Sequence, residues 1–354
     1  MPPSDHLRVL VIDDSAVARA VIGRLVDASE RWTVTRSVPT IADARAFLAT
    51  SSVDVILLDI HLPGQDGISA LPGLLAAAPR ARIVVVSSSE AAGVQAMALG
   101  AAAALTKPGP SVYTSVFAAA LIDTLDRLAG AEPHPMPLAR AATPARPQAA
   151  PIAGEGQADR AADFDLVAIG ASTGGIHALS GVLGALPVAC RVPIIVTQHL
   201  PASFMPFFAA QVALLAGRPC DVAVDRMRVR PGRIIVAPGD AHLHGVALPD
   251  GGTAVRLVRD AQPSGCMPSV DPMFASLAAI HRDRLLAIVL SGMGRDGSIG
   301  AAAVREEGGC VVVQDCASSV VWGMPGAVAA ADDTAAVLPP AEIGRVIASG
   351  RRPR

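Results

Sequence analysis

Short, largely apolar runs alternate with stretches of helical periodicity through the first 129 residues. The runs fall at 7–12, 32–38, 53–58, 83–86 and 101–105, and helix-like stretches at 15–28, 40–49 and 112–128 lie between and after them. Runs without polar alternation predict strands covered on both faces, hence a parallel sheet flanked by helices. Five such units predict a doubly wound domain with its site at the carboxyl ends of the strands.

The pattern resumes after residue 163. Strands are predicted at 166–169, 194–197, 233–237, 285–290 and 311–314, and helices after Gly175, Ser203, Ser269, Ser298 and Pro339. Segment 242–259 alternates around Asp250-Gly251-Gly252, which predicts a hairpin at an antiparallel edge. Residues 130–162 carry Pro133, Pro135, Pro137, Pro144, Pro147 and Pro151. Proline at that density removes amide donors and fixes φ, so a semi-extended linker is predicted. The fold class is α/β: one doubly wound domain at 1–129, a linker at 130–162, and a second, mostly parallel doubly wound domain at 163–354.

Composition limits the function classes. At roughly 150 residues per domain, 354 residues allow two domains or at most three. Hydrophobic residues make up 51% and charged ones 17%, so wholesale disorder is excluded. Lys plus Arg 29 against Asp plus Glu 31 leaves no basic excess for duplex phosphates, and 3% aromatics argue against a base-stacking platform. Nucleic acid is therefore not an expected partner. The mean hydropathy of +0.46 comes from alanine and valine in short runs. Segments 91–106 and 317–331 fall short of the roughly 18 uninterrupted apolar residues of a membrane span. The N-terminus has no apolar stretch after a basic cluster, so no signal peptide or membrane insertion is expected, and a cytoplasmic location is. The five cysteines contain no CxxC pair, which predicts reduced thiols rather than a zinc site or a disulfide framework.

Asp13 and Asp14 follow the first strand, and Asp59 follows the third. In a parallel sheet these carboxylates converge and repel unless a hard divalent cation such as Mg²⁺ sits among them. Ser87 and Lys107 end the fourth and fifth strands, where a hydroxyl and an ammonium suit a phosphorylated carboxylate. One aspartate after a strand is commonly a helix cap. Five such positions on one sheet edge favour an acid pocket.

In the second half, G-x-S-x-G surrounds Ser172 between a strand and a helix. A dinucleotide fingerprint would need glycine at 172, whereas a nucleophile turn needs the serine. His199 follows the next strand, and Asp296 lies in a glycine-bracketed turn after another. Singly, His199 reads equally as a surface residue and Asp296 as a turn residue. Together they predict a Ser-His-Asp triad: His199 takes the Ser172 proton, and Asp296 holds the ring. The turn at 291–294 would offer amide donors to an oxyanion, with Met293 N–H foremost. His177, His242 and His244 read as structural or surface groups.

VLVIDDSAVAR, ILLDIHLPGQDG, VVVSS and TKPG are similar to the receiver domain of two-component response regulators, a flavodoxin-like fold. The resemblance implies that Asp59 is the phosphoacceptor, that Asp13, Asp14 and Asp59 gather Mg²⁺, and that Ser87 and Lys107 are switch residues. Two departures stand out: 102–105 lacks the usual aromatic, and His61 stands where acids or amides are usual. GASTGG, TQHLP, APGDAHL, PSVDPMF, SGMGRDG and SSVVWGMPGAV resemble, in that order, the catalytic domain of chemotaxis methylesterases of the CheB family. That resemblance implies hydrolysis of γ-glutamyl methyl esters on methyl-accepting chemotaxis receptors, with methanol release, and deamidation of receptor glutamines. It also implies phosphate from a CheA-type histidine kinase and no cofactor for the ester chemistry. Ser172, His199 and Asp296 occupy the triad positions, while Cys266-Met267 replace the His-Arg often found before PSVD. The unphosphorylated receiver is expected to pack over the Ser172 edge. A receiver-linked scaffold with an inactive esterase domain, or a small-molecule esterase on the same fold, are the alternatives.

Overall fold

The largely apolar runs at 7–12, 53–58 and 83–86 become the inner strands of the first sheet because both of their faces are covered, while 32–38 and 101–105 supply its edges. The computed structural model describes residues 6–62, 66–107, 115–129, 162–331 and 334–353. The first half contains β1 (Leu7–Ile12), α1 (Ala16–Asp27), β2 (Trp32–Val38), α2 (Ile41–Leu48) and β3 (Val55–Asp59). It continues with α3 (Gly67–Ala77), β4 (Arg82–Ser87), α4 (Glu90–Ala98), β5 (Ala103–Thr106) and α5 (Ser115–Ala129). The strands form one parallel sheet in the order β2-β1-β3-β4-β5, the expected doubly wound arrangement. Helix starts follow local chemistry, since the side chains of Ser15, Thr40 and Asp66 accept from free amides of the first turns of α1, α2 and α3.

The second half opens with β6 (Leu166–Ala171), α6 (Gly175–Gly184), β7 (Ile194–Gln198), α7 (Met205–Ala216), β8 (Cys220–Val222) and β9 (Ile234–Val236). There follow β10 (His242–Ala247), β11 (Thr253–Val258), α8 (Val270–His281), β12 (Leu285–Val289) and α9 (Ser298–Glu306). The domain closes with β13 (Cys310–Gln314), α10 (Gly323–Ala330), β14 (Ala336–Leu338) and α11 (Pro340–Ser349). Its main sheet runs β14-β13-β12-β6-β7-β9-β8, and every pairing is parallel. The strand order reverses beside β6, which places a crevice at the carboxyl ends of β6, β7 and β12.

The antiparallel hairpin exists, but its expected place at the sheet edge is corrected. β10 and β11 pair in a two-stranded sheet apart from the main one, and β11 also bonds to segment 226–229, where Arg226 and Val229 N–H donate to the Val255 and Thr253 carbonyls. The hairpin packs on α8 instead, so closely that a Cβ at Gly245 would lie 2.6 Å from Leu277. The three-residue strands β8 and β14, and helix α10, were not expected from the pattern. The expected linker at 130–162 lies, but for residue 162, outside the described residues.

One apolar cluster crosses from the first half to the second. It runs from Leu10, Ile56 and Ile83 through Val94 and Met97 of α4 to Phe204, Phe208, Ile176 and Leu179. On the other face of the second sheet, Phe274 and Leu277 of α8 pack with Leu243, Val255, Ala287 and Val289. Phe274 is fully buried there. Its truncation to alanine should cost about 3–5 kcal/mol, read as an earlier second-domain transition in urea; an unchanged midpoint would contradict this packing.

Candidate active site

The segment after β6 is a tight turn. Gly174 has φ +75°, and a Cβ there would lie 2.4 Å from Val320. The Ser172 N–H donates to the Ser291 carbonyl (3.0 Å), and the Ser172 carbonyl accepts from Gln198 Nε2 (2.8 Å) and Gly175 N–H (2.8 Å). These bonds fix a nearly buried serine at the N-terminus of α6. The 291–294 turn presses against it, since a Cβ on Gly292 would come within 2.9 Å of Ser172 Cβ. Glycine is required at both positions.

His199 leaves the end of β7 with its N–H donating to the Ala171 carbonyl (3.1 Å). Its Nε2 lies 2.7 Å from Asp296 Oδ2. That bond commits Nε2, so Nδ1 is the nitrogen left for another partner. Among the described residues no hydrogen bond joins Ser172 Oγ to His199. Both line a cavity of about 480 Å³ together with Thr173, Pro201 and Cys266.

What holds Asp296 is not evident from the sequence and comes from the fold. The carboxylate sits at the N-terminus of α8, where Oδ2 accepts from Val270 N–H (2.7 Å) and Oδ1 from the Ser269 hydroxyl (2.6 Å). Ser269 occupies the N-cap position but makes no side-chain cap bond, because its hydroxyl is spent on Asp296. Its own N–H donates to His242 Nδ1 (2.9 Å), and His242 Nε2 meets the Asp260 carbonyl (2.9 Å). His242, fully buried, thus orients Ser269 and is structural in a way that reaches the site. The PSVD serine just ahead of a helix was the one sequence signal for this support. His244 lies half-buried on β10, and His177 Nδ1 meets the Ala98 carbonyl (3.1 Å) across the two halves.

Electrostatics follow from these contacts. Burial would raise the Asp296 pKa, but the bonds from His199, Ser269 and Val270 hold it well below the usual carboxylate range. Burial pushes the nearby Asp271 up, against the Gly300 N–H bond, and the Asp296 charge adds to the rise. For His199, burial disfavours the charged ring, yet the Asp296 carboxylate and the Cys266 sulfur outweigh it and push the ring up to about 9. The Met293 N–H has no acceptor among the described residues, whereas the Gly292 N–H is taken by the Val321 carbonyl (3.0 Å).

A second cluster lies on the first sheet. Asp13 and Asp59 are buried and Asp14 is exposed, and one carboxylate oxygen from each lies within 4.8 Å of the others. Lys107 Nζ bridges Asp13 (2.6 Å) and Asp59 (2.7 Å). Burial opposes the Lys107 charge, but these two carboxylates hold its pKa above the ordinary value. Asp13 moves up through burial, although Lys107 counteracts it. Ser87 Oγ accepts from Ser89 N–H (3.1 Å) and shows no bond to Asp59 among the described residues. His61 projects to solvent with Nδ1 4.0 Å from Asp59.

The first half also closes over the second. Met97, the stretch 102–105, Ala120, Asp123, Thr124 and Arg127 form the wall of the cavity opposite Ser172. Gly93 of α4 allows the two halves to approach: a Cβ there would sit 3.0 Å from Ala104 of β5 and 3.4 Å from the Phe204 ring.

Residues 167–347 match the CheB methylesterase family model, and residues 9–112 match that of the response regulator receiver domain. The chain belongs to the CheB methylesterase family. A protein-glutamate methylesterase/protein-glutamine glutaminase of Caulobacter vibrioides is 38% identical over 98% of this chain and 99% of the relative. Another so named, from Paramagnetospirillum magneticum, is 36% identical over 97% of this chain and 95% of the relative. The CheB methylesterase catalytic domain of Thermotoga maritima matches 52% of this chain and 98% of its own at 33% identity, with a TM-score of 0.51. The methylesterase-type half therefore carries Ser172, His199 and Asp296, and the receiver half carries the acid pocket. No helix among the described residues is long and apolar enough to cross a membrane.

NMR titration of the imidazole in the full chain should place the His199 midpoint near 9, and lower in Cys266→Ser. A wild-type midpoint at or below that of a free histidine would contradict the site electrostatics.

Proposed function

We propose that the chain is a phosphorylation-activated serine hydrolase that removes methyl groups from γ-glutamyl methyl esters of chemoreceptors and deamidates receptor glutamines. The observation that carries the reading is the 2.7 Å bond between His199 Nε2 and Asp296 Oδ2 inside the cavity that Ser172 lines. Ser172 Oγ attacks the ester carbonyl carbon while His199 Nδ1 takes its proton. Asp296, ionised and pinned by Ser269 and Val270, stabilises the imidazolium. The unpaired Met293 N–H is the oxyanion donor, a contribution of roughly 3 kcal/mol. His199 returns the proton to methoxide, methanol leaves, and water, activated by the same ring, frees the glutamate. A glutamine side chain follows the same course and loses ammonia.

Control would come from Asp59, phosphorylated by a CheA-type histidine kinase. Three carboxylates against one lysine make a net negative, all-oxygen pocket, a donor set that suits Mg²⁺. Asp13, Asp14 and Asp59 would hold it, and it would offset the charge of the incoming phosphoryl group. Ser87 and Lys107 would then bind that group, and the receiver face over Ser172 would loosen as a population shift.

Methanol release from membranes bearing methyl-labelled receptors tests this. Acetyl phosphate should raise the wild-type rate roughly 5- to 150-fold, the span of ordinary allosteric couplings. Asp59→Asn should keep only the basal rate, and Ser172→Ala should release no methanol while still accepting phosphate. A base works unprotonated, so the rate should climb with pH toward about 9. Methanol release by Ser172→Ala at the wild-type rate would end the proposal.

A further inference from the structure

We propose that His199, Asp296 and Cys266 form a Zn²⁺ site whose occupation silences the esterase. A ring nitrogen of His199, the Cys266 sulfur and a carboxylate oxygen of Asp296 all lie within 4.8 Å of one another. Imidazole, thiolate and carboxylate are a zinc donor set, whereas Mg²⁺ and Ca²⁺ take oxygens. In a tetrahedral site, bonds of about 2.0–2.3 Å hold the donors roughly 3.3–3.8 Å apart, so the His199–Asp296 pair, now at 2.7 Å, opens slightly to admit the ion while all three donors stay within reach of it. The spacing rules for cysteine in sequence miss this group because its members come from three distant segments.

The surroundings suit a metal. Asp296 is held by Ser269 Oγ and Val270 N–H, which orient its oxygens as outer partners orient metal ligands. Cys266 is fixed by its N–H on Ser264 Oγ (3.3 Å), and its thiol faces the Ser264 carbonyl (3.7 Å). The same residue lines both the cavity containing Ser172 and a second hollow of about 450 Å³ lined by Met293 and Asp296. Space is therefore left for a water as fourth ligand. On binding, the Cys266 thiol loses its proton to solvent, and zinc displaces the proton shared by His199 and Asp296. Two anionic ligands then balance the ion's charge. Zinc then occupies Nε2, the ring's one remaining proton sits on Nδ1, and Nδ1 has no lone pair left to accept the serine proton.

The silencing half rests on the triad proposed above, but metal binding does not. The test uses the full chain with Mg²⁺ present and Co²⁺ as the first probe. Wild type should give a near-ultraviolet thiolate-to-cobalt band that Zn²⁺ abolishes, and Cys266→Ser and Cys266→Ala should lack it. The all-oxygen receiver pocket cannot produce that band. Zn²⁺ should inhibit wild-type methanol release reversibly, with EDTA restoring it. Loss of one ligand should weaken zinc binding by about tenfold or more in both variants, since even outer partners contribute that much. Absence of the band in wild type, or equal zinc affinity in all three proteins, would overturn the site. A band without inhibition would leave the metal site standing and overturn silencing.

Discussion

The second domain is organised around keeping one buried carboxylate ionised. Asp296 is removed from water, which by itself favours the neutral acid. It stays charged because the first amide of α8, the Ser269 hydroxyl and the His199 ring all point at it. The positive end of the helix adds to that field. The hairpin contributes through His242, whose Nδ1 accepts the Ser269 N–H and so must be unprotonated. Through His242 the hairpin that packs on α8 thus reaches the site.

The same edge explains how the two halves depend on each other. A continuous apolar cluster passes from the receiver sheet through α4 into Phe204 and Phe208. The cavity in front of Ser172 is walled on one side by the receiver, chiefly by small residues of β5 and by α5. Opening it means exposing apolar surface, which resists separation in proportion to the area involved. Lys107, at the end of β5, bonds directly to Asp59, so the acid pocket and the covering face share one strand.

Both parallel sheets were legible because their inner strands are largely uninterrupted apolar runs, and the strand-end positions of Asp59, Lys107, Ser172 and His199 followed from that. β8 and β14 were not, because these short edge strands carry no apolar run longer than three residues, whereas the equally short β9 lies inside the run at 233–237. The Asp250-Gly251-Gly252 turn announced a hairpin, yet which sheet it would join depends on packing against Leu277, which the local pattern does not encode. Ser269 was hidden for a related reason. A serine before a helix reads as an ordinary cap, and only the fold brings Asp296 to its hydroxyl. Cys266 was visible as a departure from the family pattern, but its closeness to His199 depends on the path of the loop before α8.

The central claim is that Ser172 is a nucleophile activated by a ring that Asp296 holds. Covalent labelling by a fluorophosphonate, located by peptide mass spectrometry, tests it without a receptor. The account predicts one adduct, on Ser172, that forms faster after acetyl phosphate treatment and fails to form in His199→Asn. An adduct on another residue, or labelling of Ser172 at the same rate without His199, would contradict it.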